Sequence, residues 1–257
     1  MALLPETFLP TLMLFALVLA RIGALVAVAP VFGSAVVAWR FRGGLAVVLA
    51  ILITPLESGK ATVASAPAEF LVQAGGEVLV GLILGLGVLV LFSALQVAGE
   101  LISQMSGMQL ADAIDPTGDA RGPIISKLLF FVTLAVFLSI GGHRQVIAAL
   151  LDTFDWLPAG QASFSASMTS AITSVLAQSF ELGIRAAAPV MVALLLATLI
   201  LGIVARTLPQ LNLMTLGFGL NAMVALLALG VSMGAAAWLF QEQLSPVLQT
   251  VVLALRG

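Results

Sequence analysis

Residues 99–127 read GELISQMSGMQLADAIDPTGDARGPIISK, a polar, methionine-bearing stretch between two strongly apolar halves of the chain. Asp115 precedes Pro116, which biases it away from helix, and Gly118, Gly122 and Pro123 punctuate the residues beyond. A helix is therefore expected to end near Ala113. Before that point Leu101, Met105 and Met108 fall at i, i+4 and i+7, on one helical face. Thioethers on such a face can repack against more than one shape. The stretch reads either as a connector between two membrane segments or as a movable constriction.

The surroundings decide what kind of protein holds it. Of 257 residues, 61% are hydrophobic and only 9% charged, with a mean hydropathy of +1.19, against roughly 25% charged residues in soluble domains. The chain reads as an integral membrane protein. A formal net charge of -2 provides no polybasic field for nucleic acid. The absence of cysteine excludes a disulfide framework, a thiolate metal site and a cysteine nucleophile, and one histidine cannot build a histidine cage. No cofactor, metal ligand set or catalytic residue is assigned. Ala27-Val28-Ala29 looks like a signal-peptidase site, but Glu6, Arg21 and Pro30 argue against cleavage.

Thr7 to Phe32 is long enough to span a bilayer core of about 30 Å. Arg21 lies inside it, and a mid-helix charge costs about 2.5–3.5 kcal/mol on insertion scales, so Arg21 is expected to face protein or water. Val31 to Arg42 reads as a turn, and Gly43 to Pro55 as a short apolar run that spans only if Ala35 to Trp39 joins it. Leu56 to Glu69 reads as a solvated loop. Phe70 to Ala98 is a third long segment, with Glu77 inside it and a Gly81-x-x-x-Gly85 pair that admits a close helix neighbour.

Beyond the polar stretch, Leu128 to Ile140 stops at Gly141-Gly142 and resumes to Leu151, as one interrupted helix or a re-entrant hairpin. Asp152 to Ser170 reads as a polar loop with Trp156 at an interface. Ala171 to Ala205 is helical, with Glu181 and Arg185 spaced to pair and Pro189 placed to kink it. At ARTLPQLN, Arg206 suits a helix C-terminus, Pro209 enforces a break and Asn212 can cap the helix from Leu213 to Phe240, which carries a Gly230-x-x-x-Gly234 pair. The tail to Gly257 reads as peripheral. About six hydrophobic segments result, and loop arginines and lysines favour an N-terminus outside and the polar stretch on the cytoplasmic side.

Short apolar runs, embedded charges and frequent breakers point to helices buried in a larger assembly. Arg21, Pro30-Val31-Phe32-Gly33 and Arg40 in the first third, Gly99-Glu100, Gln104-Met105 and Asp115-Pro116 in the middle, and Arg206 with Pro209-Gln210-Leu211-Asn212 together resemble the FliR/SctT family of type III secretion export gates. The likeness runs over almost the whole length, and Gly-Glu with Gln-Met leans to the flagellar branch. The resemblance implies an all-α membrane protein of broken helical hairpins in a helical export-gate assembly. It implies no enzymatic activity, a place in the bacterial inner membrane at the flagellar basal body, and passage of unfolded flagellar subunits. It also implies FliP and FliQ homologues as partners, with FlhB and FlhA homologues associated.

On that likeness the chain is one domain: helices over 1–98, a central plug over 99–127 and helices over 128–257. Gln104, Met105, Met108, Asp112, Asp115, Pro116 and Arg121 are expected at the plug, and Arg21, Pro30, Gly33, Arg40, Glu100, Arg206, Pro209, Gln210 and Asn212 in structure and assembly. The alternative is a secondary transporter with Arg21, Glu77, Glu181 and Arg185 at a midplane site, which predicts an internal repeat that the sequence lacks. No serine, histidine and acid arrangement supports an intramembrane hydrolase.

Overall fold

A computed structural model describes residues 8–30, 39–108, 123–162, 166–207 and 213–256. The described elements are all helices: α1 (Phe8–Val28), α2 (Trp39–Glu57), α3 (Pro67–Ser106), α4 (Ile124–Ser139), α5 (Gly142–Trp156), α6 (Ala166–Thr207) and α7 (Leu213–Arg256). Five of them are long and apolar enough to cross a membrane, or six spans if the broken pair α4 and α5 counts as one. The all-α membrane fold expected from the hydropathy is present.

Local chemistry sets the ends of these helices. Pro67 opens α3, where its missing N–H costs nothing, and Glu69 sits in the first turn against the positive helix end. The helix stops at Ser106 rather than near Ala113, because Gly107 turns left-handed (φ 75) as a glycine does after a helix C-terminus. Gly141 (φ 71) breaks α4 from α5 in the same way. The second helix begins at Trp39, so Arg40 and Arg42 lie in its first turn and not in a loop. Likewise Asp152 and Trp156 belong to α5, and Leu56 and Glu57 to α2, which shortens both expected loops. Pro189 lies inside α6, and the helix continues past it.

The chain divides into two compact units, Met1–Val90 with Gly141–Leu176 and Leu244–Gly257, and Leu91–Ile140 with Ala177–Gln243. In the first, α1 packs on α2 and on the N-terminal half of α3. A Cβ on Gly81 would run into the Arg21 carbonyl oxygen and lie 2.9 Å from Ala24 Cβ, and one on Gly85 would lie 3.0 Å from Val28 Cβ. The glycine pair therefore does admit a helix. The tail is not peripheral: Leu244, Val247, Leu248, Val251 and Leu255 are buried at the spacing of one helical face, and Val251 abuts Gly87.

In the second unit the core is aromatic. Phe92 meets Phe130, Phe137 and Phe240 at ring-centroid distances of 5.9, 5.4 and 5.4 Å, the latter two edge-on. The Gly183 backbone lies against Ala94, where a Cβ would come 2.7 Å from the carbonyl oxygen. Ser126 Oγ donates to the Gln96 carbonyl at 2.9 Å, which sets the start of α4 beside the late turns of α3. In the first unit, Thr62 N donates to the Ala159 carbonyl at 3.1 Å and Gly160 N to Glu77 at 2.8 Å, which sets the end of α5 beside the early turns of α3. α4 and α5 meet at the Gly141 break with a bend of 66°, which an interrupted helix and a re-entrant hairpin both allow.

Candidate functional site

Arg21 is completely buried, although its helix is otherwise apolar. Its Nε donates to Glu77 Oε2 at 2.6 Å, and Glu77 is equally buried. The rest of the guanidinium reaches the segment at the end of α5. Nη1 donates to Thr153 Oγ1 at 3.1 Å, Nη2 to the Leu157 carbonyl at 3.0 Å, and Cζ lies 4.1 Å from the centroid of the Phe154 ring. The second carboxylate oxygen of Glu77 accepts from Gly160 N, whose left-handed backbone (φ 87) lies against the Thr62 carbonyl where any Cβ would collide. A buried ion pair is tolerable only when its remaining donors and acceptors are also met. Here α1, α3, α5 and the turn at 157–160 meet them together.

The neighbouring loop shares the arrangement. Gln73 spans it, its amide donating to the Thr62 carbonyl and accepting from Ala64 N, both at 3.0 Å. Lys60 reaches across to Asp155 at 3.2 Å on the exposed side. Such a cluster binds helices to one another, although Glu57 Oε2, beside Lys60, is buried with no hydrogen-bond partner among the described residues.

At the head of the central polar stretch, Glu100 and Gln104 are exposed, Leu101, Met105 and Met108 are half-buried, and Ile102, Ser103 and Ser106 are buried. Ser103 Oγ has no hydrogen-bond partner among the described residues. Both flanks of the stretch are fixed to each other: a Cβ on Gly99 would come 2.5 Å from Ser126 Cα, so only glycine permits this contact between α3 and α4. Asp112, Asp115, Pro116 and Arg121 lie outside the described residues.

A match to the family described as bacterial export proteins, family 1, covers residues 12–247. The chain belongs to that family. Flagellar biosynthetic protein FliR of Escherichia coli K12 is 32% identical to this export protein over 232 residues, 90% of this chain and 86% of the relative. The protein of that name from Bacillus subtilis 168 is 31% identical over 254 residues, 95% of both chains, and the one from Pectobacterium carotovorum is 31% identical over 213 residues. Within the family, the chain groups with the FliR proteins over nearly its full length.

The residues expected to serve structure and assembly differ in burial. Arg21 and Pro30 are buried, Arg40 is exposed at the start of α2, Glu100 is exposed on α3, and Arg206 is exposed in the last turn of α6. Gly33, Pro209, Gln210 and Asn212 lie outside the described residues. Glu181 and Arg185 do pair, at 2.6 Å, but with 58% and 59% of their side chains exposed. Their pairing does not ease burial within this chain. Sequence reasoning missed Thr153, Phe154, Leu157 and Gly160 as partners of Arg21 and Glu77. The one available signal was that two opposite charges stood alone in two apolar segments.

Proposed function

We propose that the protein is a non-enzymatic core subunit of the flagellar type III export gate in the bacterial inner membrane. There it forms part of the channel that passes unfolded flagellar subunits. The observation that carries this reading is the likeness to FliR proteins from one end of the chain to the other. The surface supports it: α6 has Phe180, Ile184, Leu195, Leu196, Leu199 and Ile203 exposed, with the Glu181–Arg185 pair among them. An ion pair is a poor neighbour for acyl chains, so this face calls for protein.

FliP and FliQ homologues are the expected neighbours, with FlhB and FlhA homologues beside them. The whole chain acts as one export-gate domain, and residues 99–127 close its channel. Met105 and Met108 would seal it against ions yet yield to varied peptide side chains. The clamp of Gly99 on Ser126 would fix the base from which that segment is held. The transporter alternative loses its main motive, because Arg21 and Glu77 satisfy each other and leave no vacant ligand.

Native mass spectrometry of the tagged protein, gently extracted from its own cells, tests the assignment. Several copies of two other small membrane proteins should accompany it. A lone chain, from a preparation shown to preserve weak complexes, would overturn the reading. Deleting Met105 to Gly118 from the assembled complex should raise ion conductance while leaving assembly intact, and unchanged conductance would remove the plug role.

A further inference from the structure

We draw no further inference here: the strongest candidate, the groove between α5 and the last turns of α7 lined by Gln145, Asp152, Ser245 and Gln249, carries nothing, because nothing in the structure shows what covers it.

Discussion

Arg21 shows how one residue can be half legible. Its place in an apolar run already required a buried partner, because an isolated charge there is too expensive to leave facing lipid. Whether Glu77 or Glu181 would answer it depended on helix register, across 56 residues of chain for Glu77, and no local pattern carries that. The named partners set the energetics. Replacing Arg21 by Met should destabilise the chain by about 3–5 kcal/mol, because Glu77 is left charged, buried and unpaired. The Arg21→Met, Glu77→Met double variant should recover most of that loss. It should not recover all, since the Leu157 carbonyl and the Gly160 N–H lose their partners, at about 1–3 kcal/mol for an unsatisfied buried group. Thr153 keeps its own bond to the Leu150 carbonyl at 2.6 Å. Thermal unfolding of the detergent-solubilised single and double variants measures the difference. Equal destabilisation of both would mean that the stranded Glu77 carboxylate is not the source of the loss. Arg21→Glu places two carboxylates together and should abolish assembly of the complex, read as the yield of co-purified partners.

Among the elements, identical sequence patterns came to different ends. Gly81-x-x-x-Gly85 and Gly230-x-x-x-Gly234 carry the same small-residue signal, yet α1 closes on the first, and none of the described residues supplies an atom within 4 Å of a Cβ at either glycine of the second, their own helix's neighbouring backbone aside. A helix pattern states what can approach, not what does. Gly81→Ala should therefore destabilise the chain by about 1–3 kcal/mol, because the Arg21 carbonyl must move aside. Gly234→Ala should be neutral or stabilise it by up to about 1 kcal/mol through helix propensity. Unfolding midpoints of the two variants in detergent should differ in sign, and equal shifts would mean that α1 and α3 are not in contact at Gly81. Element ends were legible where a glycine or proline had one plausible job, as at Gly141, and misplaced where two breakers competed. Gly107 ended α3 before Asp115-Pro116 could. The tail was misjudged for a related reason. Its apolar face is narrow enough to read as surface until the groove beside Gly87 receives Val251.

On the scale of the whole molecule, burial is uneven. In the apolar windows of the helices, 61% of α3 is buried, but only 22% of α2 and of α6. The sequence announced a membrane protein through composition alone, whereas the charges in its apolar runs divide: Arg21 and Glu77 answer each other inside the chain, and Glu181 and Arg185 pair on its surface. It did not say which outer face meets which neighbour, since exposure on one chain is decided by surfaces that belong to others. The Glu181–Arg185 pair separates the two kinds of stability. Within the chain it is an exposed i, i+4 pair, so Arg185→Ala should change chain stability by no more than about 0.5 kcal/mol. In the proposed assembly, the same substitution would leave Glu181 without its counter-charge against a partner helix, where water and salt no longer screen it. A lone carboxylate in that setting costs several kcal/mol, enough to lower complex yield at least tenfold. The expected result is thus an unchanged unfolding midpoint for the purified chain together with a loss of co-purified partner proteins. If Arg185→Ala leaves both unchanged, α6 faces water at this level. If both fall together, the helix itself depends on the pair, and the outer face of α6 loses its claim to be an interface.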